Sequence, residues 1–539
     1  MDAVAHLGRL ARDRTAARMS GHAKADRRLQ QAAVLIAAAL LLVPALGLPP
    51  LFDVDEGAFG EATREMLASG DWLSTTLNGA PRFDKPILIY WLQAVSVATL
   101  GLNEFALRLP SALAALAWIF AIGRFAAARL DAGTGALAAW IAASCIGVVV
   151  IAHAATADAL LNALLAAAML DAWRFVEDGD RVALRRMYVW IGLGVLTKGP
   201  IAALIPVTVT LLYAVLSGRL RDWRKAAFDP AGWLLLVAIV APWYGYALHR
   251  HGRAFIEGFF VKHNLQRFSG TLEGHSGSLL YYVVAVPLLL LPWTGLLGPA
   301  LRAVRTDWML GLNRYLWLWF AFVFVFFSAS GTKLPHYVLY GLTPLFILMA
   351  AHRNELGEGR LARLGAGLLL TLLPLLPWLV QRWAQGASGP RTAYYAALAQ
   401  RALQAAPWSF YAITGSACAI GVVALAFARW PAWQRLALAG GLLTLALEAG
   451  IAPWLGEVTN GPVKRAAQFV AARPENVVQW NLNVPSFSVY RGKVTESRAP
   501  RAGELAITRA DRLPADAKVE VLFRDAGVMI VRTAADPAP

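Results

Sequence analysis

Apolar residues recur along this chain in long blocks instead of at the spacing of amphipathic elements. A membrane-crossing helix needs roughly 17–25 largely apolar residues. Such runs lie at 31–49, 106–128, 133–151, 156–173, 201–217, 231–248, 279–300, 315–330, 335–351, 364–381, 408–428 and 436–452. Two further stretches are ambiguous: 86–100 is apolar but short, and 188–196 looks too short to cross. The pattern predicts an all-α polytopic membrane protein.

Charge decides the ambiguous pair. Short cytoplasmic loops collect Lys and Arg, so the basic loops 174–186 and 219–225 lie an even number of crossings apart, and 188–196 counts as a span. Arg124 and Arg129 belong on the side of the basic N-terminus, which leaves 86–100 as a surface-lying or re-entrant piece. The result is about 13 transmembrane helices with the C-terminus outside. Three parts follow: a basic cytoplasmic N-terminus (1–30), a transmembrane domain (31–454) and a small extracytoplasmic α/β domain (455–539). The first extracytoplasmic loop, about 50–105, carries interfacial helices; in one of them Phe59, Ala62 and Met66 share a face opposite Glu61, Arg64 and Glu65. In the last part a helix at 464–472 precedes β-rich runs at 477–480, 486–490, 519–523 and 528–531.

Composition narrows the class. With 58% hydrophobic and 16% charged residues in 539, a soluble domain is excluded, and the net charge of +16 is explained by loops at a membrane, not by nucleic acid. Cys145 and Cys418 fall in apolar stretches, so neither a disulfide framework nor a Cys-based metal site is available. The basic first thirty residues lead into an apolar run without a cleavage signal, as in an uncleaved first span.

The candidate chemistry collects outside. The first loop supplies Asp53, Asp55 and Glu56, then Arg82, Asp84 and Lys85; Asp158 opens a span; Lys198 sits in a Thr-Lys-Gly-Pro turn. Later loops add Lys262, His263, Arg267 and His275, then Lys333, His336 and Tyr337. Each has a plainer role: Asp55, Glu56 and Asp158 as helix caps, the lysines as headgroup anchors, Trp243 and Trp293 as interface-belt residues. Asp171 stands isolated toward the other side. Convergence of four loops on one face favours chemistry. Several cations beside acids suit a lipid phosphate or diphosphate, and no Walker loop, dinucleotide fingerprint or HExxH run is present. An activated sugar outside the cytoplasmic membrane has to arrive on a lipid.

At these residues the sequence resembles a known family. Asp55-Glu56, the run Arg64 to Trp72, Phe83-Asp84-Lys85-Pro86, Leu196-Thr197-Lys198-Gly199, His263 to Phe268, Tyr281-Tyr282, Pro292-Trp293 and Lys333-Leu334-Pro335-His336-Tyr337 resemble the lipid A aminoarabinose transferases. These are GT-C glycosyltransferases, related to protein O-mannosyltransferases. The resemblance implies a GT-C fold in the bacterial inner membrane with a periplasmic active site. It implies transfer of 4-amino-4-deoxy-L-arabinose from undecaprenyl phosphate to a lipid A phosphate, a modification that protects against polymyxin and other cationic peptides. Asp55 and Asp158 become the acids of the cavity, and Lys85, Arg267, Lys333, Lys198 and Tyr337 the donor-phosphate set. Glu56, Phe59 and Arg82 are expected around the sugar or acceptor. No cofactor is required, and Asp84 with His263 is the pair to hold a divalent metal ion where one takes part. The chain departs from the pattern at Phe59, where tyrosine is expected, and at Asp84, where glutamate is common. The alternatives are another GT-C enzyme handing mannose, glucose or galactosamine to a protein, glycan or lipid, and a lipid flippase, which would spread ionisable residues through the membrane depth.

Overall fold

Among the described residues, seven helices are long and apolar enough to cross a membrane, or nine if each of two bent pairs is one span. The chain is a polytopic membrane protein. The computed structural model describes residues 28–266, 277–359, 361–386, 390–514 and 516–534. The first half runs α1 (Arg28–Leu42), α2 (Asp55–Ser69), a hairpin of β1 (Thr76–Leu77) and β2 (Ala80–Pro81), then α3 (Leu88–Leu100) and α4 (Glu104–Arg129). It continues with α5 (Ala132–Ser144), α6 (Ile146–Ala152), α7 (Asp158–Asp178), α8 (Arg181–Lys198) and α9 (Ile201–Leu216). Helix α4 packs on α5 and α7, and α7 on α8.

Two expected straight spans are bent. Helices α5 and α6 meet at 62° around Cys145, and Tyr281–Leu289 turns through 113° into Trp293–Asp307. Proline lacks the amide that a helix interior needs, and Pro292 stands at the second break. The two breaks face each other: the Ile146 amide donates to Leu291 O at 3.0 Å, and the Trp293 indole donates to Ser144 Oγ at 3.1 Å. Backbone groups freed inside a membrane are satisfied in this way only against protein. Trp293 is therefore a buried core residue and not part of an interface belt. Trp243 is buried too, with its indole donating to Leu73 O at 3.0 Å.

Helix α8 removes the puzzle of the short 188–196 segment. Its eighteen residues begin at Arg181, which gives about 27 Å at ~1.5 Å per residue. Its first turns are basic, so an apolarity criterion starts the helix too late. Asp180 caps it through Val182 N at 2.9 Å and Ala183 N at 3.0 Å. Asp171 is not isolated, because it accepts from Arg174 at 2.6 Å, Arg186 at 2.9 Å and Trp190 at 3.1 Å.

Helix α2 also departs from expectation. The face carrying Glu61 and Glu65 is buried instead of facing water. Glu61 pairs with Arg64 at 2.6 Å, and Glu65 holds the hairpin through Gly79 N at 3.2 Å and the Thr76 hydroxyl. Covering this face is a C-terminal helix, Ser486–Arg491, in the segment that the alternation predicts as a strand. Both sides of that segment are buried: Phe487 enters the core of the C-terminal part, while Val489 packs with Leu51, Val97 and Leu107. Burial on both faces of a short helix imitates the alternation of a strand. The C-terminal sheet has order β3 (Val477–Gln479), β4 (Leu505–Arg509), β6 (Val528–Thr533), β5 (Val519–Asp525). Only β3 and β4 run parallel; the rest is antiparallel. Strand β4 had no counterpart in the sequence reading.

Candidate active site

A cavity of about 390 Å³ opens where the ends of several helices meet. Asp84 and Lys85 come from the loop before α3, Lys198 from the last residue of α8, and Ile201 and Leu204 from α9. Phe259, Phe260 and His263 come from a π-helical segment, Ile256–Gln266, and Tyr337 and Tyr340 from the turn Pro335–Gly341. Most of the wall is aromatic or aliphatic, with Lys85, Lys198, Asp84 and His263 as its ionisable members, a division that suits an amphiphile with a charged head. The turn after α8 needs its glycine: Gly199 has φ +76°, and a Cβ there would meet the Phe259 ring at 2.6 Å.

Lys198 organises one wall. Its ammonium bonds to Asp158 Oδ1 and, at 2.8 Å, to the Tyr340 hydroxyl, and it lies 5.5 Å from the Tyr337 ring centre and 5.6 Å from that of Tyr340. Asp158 is thus a counter-ion and not a helix cap; no side chain caps α7. His336 Nε2 stands 3.8 Å from Asp158 Oδ1, and its ring meets Tyr337 edge-on at 4.8 Å. The charges of Asp158, Lys198, Asp55 and Lys85 all act on that imidazole. His336 is accordingly where the separate loops converge. The Lys-Leu-Pro-His-Tyr run alone gives His336 no role in the site, since spacing does not show a meeting point.

Asp55 is exposed in the first turn of α2 and makes no capping hydrogen bond. Glu56 turns the other way. It is buried, accepting from Arg108 Nε at 2.8 Å and Nη2 at 2.7 Å, Ala155 N at 2.7 Å and Phe52 N at 2.8 Å, so it does not join the cavity. Arg108 also donates to the carbonyls of Leu46, Pro49 and Pro50 at 2.7–2.9 Å, fixing the loop that carries Asp55. Lying inside an apolar span, Arg108 escaped the sequence reading, though an arginine at such a position was the available signal.

Asp84 faces His263 Nε2 at 3.0 Å and Arg82 Nη2 at 3.4 Å. Burial pushes its carboxyl up, but the hydrogen bond from His263 and the charges of Arg82, His263 and Lys85 prevail and hold it well below the usual carboxylate range. Lys85 donates to Asp84 O at 3.1 Å. Lys333 is buried, its ammonium donating to the carbonyls of Ser328 at 2.9 Å and Ser330 at 2.6 Å, and Ser330 takes its place in the wall. Phe59 stacks on Tyr90 at 5.3 Å beneath Arg82, so neither Phe59 nor Arg82 lines the cavity. Arg267 lies outside the described residues. Among the described residues no group of three His, Cys, Asp or Glu gathers for a metal. Asp84 and His263 offer two ligands with Arg82 and Lys85 alongside, which is not a closed metal site.

The sequence pattern of the dolichyl-phosphate-mannose-protein mannosyltransferase family matches residues 84–246, a segment that carries Asp84, Lys85, Asp158 and Lys198. Across the whole architecture, the crystal structure of ArnT from Cupriavidus metallidurans bound to undecaprenyl phosphate superposes with a TM-score of 0.76 at 21% identity, covering 94% of this chain and 99% of that one. The fold is that of ArnT. Sequence likeness points the same way: the undecaprenyl phosphate-α-4-amino-4-deoxy-L-arabinose arabinosyl transferase of Shewanella sediminis is 31% identical over 326 residues, 58% of this chain and 57% of that protein. The protein of the same name from Pseudomonas aeruginosa is 30% identical over 363 residues, 65% of each chain. The chain therefore matches less than two thirds of the length of these relatives.

Proposed function

We propose that this protein transfers 4-amino-4-deoxy-L-arabinose from undecaprenyl phosphate to a lipid A phosphate at the periplasmic face of the inner membrane. The observation that carries the reading is the cavity itself, in which Lys85 and Lys198 stand over an aromatic and aliphatic wall, while the exposed Asp55 lies near enough for its charge to act on His336. A polyprenyl phosphate has that division of charged head and apolar tail. The names of the relatives supply the sugar and the carrier. In the displacement, the bond from the anomeric carbon to the donor phosphate breaks with its electron pair leaving on the phosphate, and an acceptor phosphate oxygen makes the new bond. Lys85 and Lys198 stabilise the leaving phosphate. A lipid A phosphate is already anionic at neutral pH, its second pKa being about 6. Asp55 therefore acts by pairing with the sugar ammonium or with the oxocarbenium charge, and not as a base. Counting the shorter helices α1, α9 and Pro335–Ala351, and α8, with the nine candidate spans while leaving out α3 makes thirteen crossings, a count that with a cytoplasmic N-terminus supports a cavity on the outer face. Covering a lipid A phosphate with an aminosugar lowers its attraction for cationic peptides such as polymyxin.

The match to mannosyltransferases sustains a second reading, in which mannose passes to a hydroxyl and Asp55 beside His336 serves as the base. Purified protein incubated with lipid A and either polyprenyl-linked aminoarabinose or polyprenyl-linked mannose decides between them. The proposal expects a mass increase of lipid A with the first donor alone; transfer from the mannose donor alone, or from neither, overturns it.

A further inference from the structure

Arg82 is only 8% exposed, yet its guanidinium is poorly matched. Its Nε and Nη1 are enclosed and have no hydrogen-bond partner among the described residues. Nη2 reaches Asp84 only at 3.4 Å, and that carboxylate is shared with His263 at 3.0 Å. Below the guanidinium, 5.0 Å away, is the Phe59 ring, which stacks on Tyr90. The hydroxyl of Tyr90 is fully buried and also has no partner among the described residues, and the charges of Arg82 and Asp84 both act on it. The backbone of Arg82 is fixed at the foot of the hairpin, its amide donating to Thr75 O at 2.9 Å and its carbonyl accepting from Thr75 Oγ1 at 2.7 Å. Buried donors without acceptors are rare and costly. Two of them that share the Phe59 ring, the charge of one acting on the other, describe a place prepared for an anion.

We infer that Arg82 and Tyr90 form a second phosphate subsite, which holds the acceptor phosphate while Lys85 and Lys198 hold the donor phosphate. The inference rests on the proposed phosphate-to-phosphate transfer. That reaction brings two anions to opposite faces of one sugar carbon, so one set of cations cannot serve both. The donor set lines the cavity, whereas Arg82 is not part of the wall and touches it through Asp84, 3.4 Å from its guanidinium, which separates the two charges. Guanidinium and phenol would donate to the incoming phosphate and release Asp84 from its divided contact. No proton has to move: a phosphate oxygen forms the new bond to the anomeric carbon as the donor phosphate leaves with the electron pair of the old one.

Tyr90→Phe is the sharpest probe, because deleting an unpartnered hydroxyl does not weaken the resting fold. With purified full-length protein, Tyr90→Phe and Arg82→Gln are expected to raise the KM for lipid A about tenfold to a hundredfold while the KM for the polyprenyl donor stays within about twofold. Arg82→Lys should recover part of the loss, since an ammonium keeps the charge without the fork. A second measurement needs no turnover: inorganic phosphate titrated into protein saturated with undecaprenyl phosphate should bind the wild type and not Arg82→Gln, read by intrinsic tryptophan fluorescence. Unchanged KM values, a loss confined to the donor KM, or equal phosphate binding by both proteins would overturn the subsite. If the wild type transfers no aminoarabinose but binds phosphate through Arg82, the function fails and the anion site stands.

Discussion

Among individual residues, the two acids proposed for the chemistry are placed for different work, and neither lines the cavity wall. Asp158 is enclosed and bonded to Lys198 and Tyr340, whereas Asp55 is exposed, caps nothing and shares the field of His336. Asp55→Asn should therefore leave folded protein in the membrane and lower turnover roughly 100- to 1,000-fold, the scale of losing one charge-stabilising group. Wild-type rates in that variant would take Asp55 out of the reaction. Lys198→Ala has a double effect: under the proposed transfer it strips the donor phosphate of a cation, and it leaves Asp158 buried without its counter-ion. Breaking such a pair costs about 3–5 kcal/mol. The double variant Lys198→Ala, Asp158→Asn should regain most of the thermal stability and none of the activity. Recovery of activity with stability would make the lysine a structural partner only.

At the level of elements, the C-terminal helix Ser486–Arg491 is clasped onto the loop that bears Asp55. Asp53 accepts from Ser486 N at 2.9 Å and from its hydroxyl, and the Leu51 amide donates to the Tyr490 hydroxyl at 2.7 Å. Gly57 leaves the room this needs, since a Cβ there would lie 2.5 Å from Ser486 N. Burial pushes the Asp53 carboxyl from its ordinary 3.8 up to about 7, against the bonds from Ser486 and Asn460 and with help from Glu56. The docked form thus holds a proton that the undocked form releases from about pH 4 upward. Docking is favoured fully below that value, and this contribution is lost as pH rises through 7. The C-terminal part should resist protease better at pH 5.5 than at pH 8.5, with Asp53→Asn flattening the difference; equal resistance of the wild type at both values would remove the clasp as a titrating element. None of this was legible in the sequence, for a residue buried by a segment more than four hundred positions away carries no local signal. What was legible were features that depend on composition over a window: the long apolar runs, the helix near 464 and three of the four strands. The cavity was half legible. Lys85, Lys198, Asp84, His263 and Tyr337 do meet, while four others lie off the wall: Arg108 takes the carboxylate of Glu56, the carbonyls of Ser328 and Ser330 take the ammonium of Lys333, and Phe59 stacks on Tyr90 beneath Arg82.

For the whole molecule, the decisive quantity is the parity of crossings, because it fixes which side of the membrane the cavity faces. The cavity, α2 and the C-terminal sheet occupy one end of the bundle, joined by the Asp53–Ser486 clasp and by the Lys464–Glu104 ion pair at 2.5 Å. Arg174 and Arg186 gather around Asp171 at the other end of α7 from Asp158. Lys and Arg mark the cytoplasmic side of short loops, which agrees with the proposed count of thirteen and an outward-facing cavity. In the proposed reaction, a donor in the outer leaflet meets Lys85 and Lys198 without crossing the bilayer again. A reporter active only in the periplasm should read positive when fused after Pro539, and one active only in the cytoplasm should read positive when inserted near Arg221, in the short helix Leu220–Ala227 that follows α9. If both positions report the cytoplasm, the number of crossings is even, the C-terminal sheet and the cavity face inward with it, and a lipid A acceptor in the outer leaflet could not reach Asp55.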